Sequence, residues 1–495
     1  MSEEATLDEY TDSFPAEGSE QRESRFWGTI PEGWELIDGT DVYDVNPNPK
    51  SNEEPNTYIE MDALDTELPW PRYFGERNAS EYSGKTFTAG DTLFARITPC
   101  TENGKAALVS EMDTRVGIGS TEYAVLSPNT ERINPWYLYY VGKSHPVHDY
   151  AVSRMRGSTG RQRVPFSVFR RELDVGLPPL GEQRRIATVL QNVDQSIRKT
   201  EEIISQVETV RTGFVRGLYD SDQFAERDGR SSSEEQRFES ILESRREVWA
   251  EAEEERQRRR GDFDGSIDES SYSPPLNVAT QRLPELPEGW LWTSLDTFVA
   301  YDIDYRGRTP PYSDSGISVI SSGNIQDGEI VFEDEKYVSE ETYNEWLDRG
   351  VPREGDLLIT TEAPVGKVTL YPEGTYLPTR RIITFRTVGV ENRYLQAAIC
   401  HPYVQNYLTA QSGGSTVGRI LKDHLLKTPI PLPTKEEQTQ IADTFKDFDQ
   451  RIANESEYKS RLQRLKQGLM QDLLSGTVRT TDTNIEVPEE IARHG

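Results

Sequence analysis

Two long stretches of the chain carry apolar residues at steps of three and four. Ile186, Leu190, Val193, Ile197, Ile204, Val207, Phe214 and Leu218 form the first, and Ile441, Phe445, Phe448, Ile452, Leu462, Leu469 and Leu473 the second. This is the period of a helix with one buried stripe. At 1.5 Å per residue, a helix over 182–219 would be roughly 55 Å long. The regions before these helices read differently. Segments 92–98, 122–126, 356–360 and 381–387 are rich in β-branched and aromatic residues and are separated by Gly and Pro, which predicts strands. Asn134-Pro135 offers an N-cap and a first-turn proline, so one helix is expected in each strand-rich region.

The same order of signals occurs twice, at an offset of roughly 255 residues, as expected of an internal duplication. Ile30-Pro31-Glu32-Gly33-Trp34 answers Leu286-Pro287-Glu288-Gly289-Trp290, and Gly90-Asp91-Thr92-Leu93-Phe94 answers Gly355-Asp356-Leu357-Leu358-Ile359. His145-Pro146 answers His401-Pro402, and Gly157-Ser158-Thr159 before Arg163 answers Gly414-Ser415-Thr416 before Arg419. Gln183-x-x-Ile186-Ala187 and Asp194-Gln195 answer Gln438-x-x-Ile441-Ala442 and Asp449-Gln450. Each half is therefore a mixed module followed by a long helix. Two such helices would most simply pair as an antiparallel coiled coil, with a module at either end of a rod. The fold class expected is α+β: two pseudo-repeated mixed α/β modules separated by long antiparallel coiled-coil helices. Between the halves, 234–260 is helix-prone and highly charged, while 231–233 and 261–275 read as loops.

Composition narrows the function classes. At 495 residues the chain exceeds a single ordinary core. No apolar run approaches the ~18–20 residues of a membrane span, and the N-terminus lacks a basic, apolar leader, so a cytoplasmic location is expected. Only Cys100 and Cys400 are present, and the five His residues show no metal-ligand spacing. The 85 Asp and Glu against 55 Lys and Arg give a formal net charge of −30, and no Lys lies between Lys199 and Lys336. That balance suits a protein kept soluble in concentrated salt, with a halophilic archaeon as the natural source; the competing reading is an acidic protein that avoids polyanions. At ~1 M ionic strength the Debye length is only ~3 Å, so the global charge hardly reaches an approaching phosphate.

Against this acidic background, basic clusters stand out. The stretch from Arg154 to Arg163 holds Arg154, Arg156, Arg161 and Arg163 with Ser158, Thr159 and two glycines. Arginine forks onto guanine or phosphate, and small residues allow close backbone approach, so this loop is a candidate DNA contact. Its counterpart contains Ser415, Thr416 and Arg419, and further candidates are Arg96, Lys105, Arg306, Arg308, Asn324, Arg380 and Arg381. Asn134-Pro135-Trp136-Tyr137 is similar to the Asn-Pro-Pro-Tyr motif of adenine methyltransferases, but Trp stands third and no Gly-rich cofactor loop follows a strand. A phosphate-binding Gly-x-x-x-x-Gly-Lys-Ser/Thr loop and a carboxylate nuclease cluster are also missing from the sequence. The His-Pro pairs read as helix boundaries.

Taken in order, several stretches resemble the specificity subunit of Type I restriction–modification systems. They are Tyr58 to Leu64, Gly90 to Lys105, Gly119 to Tyr123, Leu177-Pro178-Pro179-Leu180-Gly181-Glu182-Gln183, and Leu283 to Trp290. The resemblance implies two target-recognition domains, 25–178 and 286–433, each reading one half of a split site in double-stranded DNA. It implies conserved helices at 179–220 and 434–477, a charged insert and linker at 221–285, and tails at 1–24 (disordered and acidic) and 478–495. The helices would dock Type I methyltransferase subunits, two of them, and restriction endonuclease/translocase subunits. No catalytic residue, metal or cofactor is expected on this chain. S-adenosylmethionine would belong to the methyltransferase partner, and ATP and Mg to the restriction partner. The second half carries Thr361-Glu362-Ala363-Pro364-Val365-Gly366-Lys367 where the first has Pro99-Cys100-Thr101-Glu102-Asn103-Gly104-Lys105, so the two half-sites should differ. The alternatives are a fused restriction enzyme, disfavoured by the missing motifs, and a coiled-coil adaptor, disfavoured by the duplicated Arg/Ser/Thr/Gly loops.

Overall fold

The computed structural model describes residues 23–50, 54–78, 80, 83–158, 160–218, 232–276, 283–305, 309–326, 328–332, 335–413, 418–481 and 483–493. It divides into two compact units, residues 1–202 with 456–495 and residues 203–455.

In the first unit, strands β1 (Tyr43–Val45), β5 (Thr92–Ala95), β6 (Ala106–Leu108) and β8 (Tyr123–Pro128) form an antiparallel sheet in the order β1-β8-β5-β6. A second sheet has the order β3-β2-β7-β4, from β2 (Asn56–Ile59), β3 (Gly75–Arg77), β4 (Lys85–Phe87) and β7 (Gly117–Gly119). Side chains alternate across the first sheet. Phe94, Leu108, Ala124 and Leu126 join the core that contains the helices, whereas Leu93, Ala95, Tyr123 and Val125 join Ile59 and Phe87 beneath the second sheet. Burial on both faces explains why these strands read as continuous apolar runs.

Helices α1 (Pro135–Lys143) and α2 (His145–Ser153) cover the outer face, and α3 (Leu180–Gly217) begins against them. The expected single helix is thus two, broken at Ser144, where His145-Pro146 opens the second. Asn134 caps α1 by accepting from the amides of Trp136 and Tyr137 at 3.1 and 3.4 Å. Trp136 and Tyr137 are buried, so the methyltransferase-like tetrapeptide is a capped core helix.

The second unit repeats the plan. Helix α4 (Ser232–Arg260) comes first, followed by β9 (Val299–Asp304), β10 (Ile317–Ile320), β11 (Tyr337–Val338), α5 (Glu340–Trp346), β12 (Leu357–Thr361), β13 (Val365–Leu370), β14 (Leu377–Pro378) and β15 (Ile382–Thr387). Its antiparallel sheet runs β9-β15-β12-β13, matching the first unit strand for strand, and its second sheet runs β11-β10-β14. The second sheets share a parallel pair, β2 with β7 and β10 with β14. Helices α6 (Asn392–Cys400), α7 (Pro402–Gln411) and α8 (Lys422–Leu426) then lead to α9 (Lys435–Leu474).

The duplication extends to single hydrogen bonds. Gln183 accepts from the Asn134 amide and Gln438 from the Glu391 amide, holding the start of α1 and of α6. The Tyr137 hydroxyl donates to the Gly176 carbonyl at 2.6 Å, and that of Tyr394 to the Pro431 carbonyl at 2.8 Å. Tyr137→Phe and Tyr394→Phe should each lower stability by about 1–2 kcal/mol, because a buried carbonyl loses its donor. Chemical denaturation of each variant checks this.

The long helices pair in both units. In the first, Asp194 of α3 meets Lys466 of α9 at 2.5 Å and Glu201 meets Lys459 at 2.8 Å, while Val193 and Ile197 pack with Leu462. In the second, Asp449 of α9 meets Arg211 of α3 at 2.8 Å, and Phe214 packs on Phe448. Residues rise on one helix as they fall on the other, so the pairing is antiparallel. Asp194 corresponds to Asp449 and Lys466 to Arg211 under the 255-residue offset, so the same ion pair is made with the helices exchanged. Two α/β domains linked by long, tightly packed helices are therefore present, as the hydrophobic period implies.

Three expectations need correction. The described residues of 478–495 are not a free tail: Arg479 forks onto Glu182 at 2.7 and 2.8 Å, and Ile491 is fully buried in the first unit. Glu182 is itself buried and could not stay ionised there without a partner. Burial works against its charge, but bonds from Arg479 and Trp34 outweigh that and hold its carboxyl below the usual range. At the other terminus, Ser24 is buried and bonds Asp174, so the tail expected over 1–24 does not extend to Ser24, while 1–22 lie outside the described residues. Finally, the helix expected within the charged insert is present as α4 and packs as part of the second unit through Ile241 and Ala252, while 221–231 and 277–282 lie outside the described residues.

Candidate nucleic-acid interface

The basic loop of the first unit is closed at its neck. Arg156 and Arg163 exchange backbone hydrogen bonds of 2.9 Å each, and Gly157 and Gly160 adopt φ of +138° and +79° between them. A Cβ on Gly157 would lie 2.7 Å from the Arg161 carbonyl, which explains the glycine there. The neck is fastened to the chain leaving β5, because the Val164 amide donates to the Arg96 carbonyl at 2.8 Å and the Thr98 amide to the Gln162 carbonyl at 3.0 Å. The second unit builds the same neck. Gly413 and Arg419 exchange backbone bonds of 2.9 and 3.0 Å, and the Ile420 amide donates to the Thr361 carbonyl at 3.0 Å, at the end of β12.

Inside the first neck, the candidates separate into two groups. Arg163 forks onto Glu122, with Nε 2.9 Å from Oε2 and Nη2 2.8 Å from Oε1. Arg96 is largely buried: its Nε donates to the Val164 carbonyl at 2.9 Å, its guanidinium lies 4.0 Å from the Phe166 ring centroid, and Nη1 is 3.7 Å from Glu122. Bonding to Arg163, with the charges of both arginines, holds the Glu122 carboxyl below its usual range despite partial burial. Arg154 is turned away onto Glu172, at 2.9 and 2.5 Å. Lys105 reaches Asp62 at 3.2 Å and the Met61 carbonyl at 3.3 Å. Arg156, Ser158 and Arg161 are exposed, and among the described residues the Arg156 and Arg161 guanidiniums have no bonding partner. Thr159 lies outside the described residues.

In the second unit, Asn324 is nearly buried and closes a capping box with Ser321 while donating to the Val331 carbonyl at 2.8 Å, a turn-stabilising role. Arg381 pairs with Glu362 at 3.2 Å. Arg380 and Arg419 are exposed, and neither guanidinium has a bonding partner among the described residues. Arg306, Arg308, Ser415 and Thr416 lie outside the described residues.

The structure thus leaves Arg156, Arg161, Arg380 and Arg419 as outward-facing cations, and ties Arg96, Arg154, Lys105 and Asn324 into the fold. Sequence reasoning missed Glu122, Glu362 and Phe166. Lone carboxylates in an acidic chain give no signal, and Phe166 is marked only by its place just after the loop. Phe166 also lies 5.0 Å from Lys85 Nζ and 5.9 Å from the Arg170 guanidinium, so several cations surround one ring.

Among the described residues, no group of three or more His, Cys, Asp or Glu could hold a metal ion, and no helix is long and apolar enough to cross a membrane.

The chain is 26% identical to the Type I restriction enzyme EcoAI specificity subunit of Escherichia coli, over 68% of this chain and 62% of that one. It is 24% identical to the EcoEI specificity subunit of the same species, over 88% of this chain and 81% of that one. The crystal structure of the Type I restriction–modification system S subunit from M. genitalium aligns over 90% of this chain and 96% of its own, at 12% identity and a TM-score of 0.49. Residues 31–209 and 307–464, one stretch in each half, match the Type I restriction modification DNA specificity domain. This chain belongs to that family of non-catalytic DNA specificity subunits.

Proposed function

We propose that this chain reads a bipartite site in double-stranded DNA for a Type I restriction–modification complex. The observation that carries the reading is the recurrence, at the same strand end of both units, of a neck closed by paired backbone bonds, with Arg156 and Arg161 exposed on the first and Arg419 on the second. In the first unit, Arg156 and Arg161 touch DNA, helped by Ser158 and Thr159; in the second, Arg380 and Arg419 do so, with Ser415, Thr416, Arg306 and Arg308 as further candidates. Residues 25–178 and 286–433 act as the two target-recognition domains, and 179–220 and 434–477 as the helices that dock two methyltransferase subunits and the restriction subunits. S-adenosylmethionine then enters with the methyltransferase, and ATP and Mg with the restriction subunit. We further propose that the complex works in the cytoplasm of a haloarchaeon, given the net charge of −30. In concentrated salt the counterion-release term shrinks, so specificity rests on base hydrogen bonds and DNA shape.

If α3 and α9 set the gap between half-sites, inserting four residues into each should change it. Four helical residues add about 6 Å, close to two base-pair steps. Methylation mapping with the lengthened chain should show the same half-sites at a new spacing. Identical half-sites at the old spacing would remove the helices from that role.

A further inference from the structure

The two necks are closed by the same backbone bonds, yet at one backbone position beneath them the side chains carry opposite charge. The Arg96 amide donates to the Glu122 carbonyl at 3.0 Å, and the Thr361 amide donates to the Arg381 carbonyl at 2.8 Å. Tyr123 pairs with Ala95 as Ile382 pairs with Thr360, so Glu122 and Arg381 occupy the same backbone position at the start of β8 and of β15. Ile97 and Glu362 correspond likewise, bridging Arg163 and Arg419 respectively. In the first unit, the carboxylate at this position takes the Nε–Nη2 edge of Arg163, and Nη1 donates to the Arg161 carbonyl at 3.3 Å. In the second unit, an arginine stands there and is occupied by Glu362. The arginine that closes the second loop, Arg419, is exposed, and its guanidinium has no bonding partner among the described residues.

We propose that this shared position, Glu122 in one unit and Arg381 in the other, is a specificity-determining positioning residue. A carboxylate there holds the loop's closing arginine against the protein. A cation there releases it toward the ligand. The first loop then reads DNA through Arg156 and Arg161, and the second through Arg419. An arginine whose Nε–Nη2 edge is forked onto a carboxylate cannot offer that edge to guanine, and in Arg163 the Nη1 group is engaged as well. One kind of neck thereby presents two different donor patterns. The inference rests on the DNA-reading function proposed above.

The test uses the full chain assembled with its methyltransferase subunits, comparing methylated motifs for wild type, Glu122→Ala and Arg381→Glu, with thermal melting recorded for each. Glu122→Ala should free Arg163 and alter the base preference at one or two positions of a single half-site, shifting discrimination there about 10-fold. The other half-site should be untouched. Adding Arg163→Ala to Glu122→Ala should return the original motif. Arg381→Glu should capture Arg419 and relax the opposite half-site. Should Glu122→Ala fail to fold, Arg381→Glu alone decides the matter. Unchanged motifs in the folded variants, or changes in both half-sites at once, would overturn the inference while leaving the reading function intact. A wild-type complex that methylates no split motif would instead remove the function on which it rests.

Discussion

Replacing Arg156 and Arg161 together with alanine should nearly abolish methylation directed by this chain while leaving its fold intact. Both guanidiniums point outward from a loop whose neck is held by backbone bonds that the substitutions do not touch. A good arginine–base pairing contributes a factor of about 10 to 100 in binding, so removing two should cost roughly 100-fold to 10,000-fold if they act independently. The pattern of the defect separates two roles. If either arginine reads a base edge, its removal relaxes the motif at that base. If it holds a phosphate, its removal lowers methylation evenly at all sites and flattens the salt dependence. Single-turnover methylation of a cognate duplex, measured at several salt concentrations, distinguishes these. Full activity in the double variant would take the loop out of recognition.

Arg245→Ala should unfold the second unit far more readily than any surface substitution. Arg245 sits on α4 with its side chain only 7% exposed, and its partner Asp296 is 7% exposed, 3.2 Å away. Nε also donates to the carbonyls of Asp296 and Val299 at 3.1 and 2.7 Å, and Nη1 to that of Ser273 at 2.7 Å. One guanidinium therefore fastens the helix to the start of β9 and to the chain that follows α4. Removing it leaves the buried Asp296 carboxylate without its counter-charge, held only by the Leu276 amide, and several carbonyls without that donor, a loss of about 3–5 kcal/mol. Denaturant titration of the whole protein should show the second unit's transition shifted to much lower denaturant. A shift no larger than that of a surface charge such as Arg258→Ala would mean that α4 is merely laid against this unit.

Much of this arrangement can be read from residues alone, for identifiable reasons. The duplication is legible because its markers are residues with narrow geometric roles, such as Asn134 at a cap, Gln183 and Gln438 at the helix start, and the glycines of the loop. The long helices are legible because a stripe such as Ile186, Leu190, Val193 and Ile197 survives only where it is buried. The end of α1 is legible at His145-Pro146, whereas the second helix that this pair opens is hidden, because α2 is short and mixes His148, Asp149 and Ser153 with its few apolar residues. The packing of α4 is hidden because its burial depends on Arg245, a residue that composition assigns to the surface. The loop arginines stand out as a group, yet sequence cannot divide them. Whether Arg154 or Arg163 faces outward depends on Glu172 and Glu122, which are distant in the chain and unremarkable among 85 acidic residues.

The most direct test of sequence reading by this chain is single-molecule sequencing of the source organism's DNA, with and without its gene. The expected result is the disappearance of one methylated motif split into two unlike half-sites, with all other methylation retained. A methylation map unchanged by the deletion would contradict a role in directing methylation.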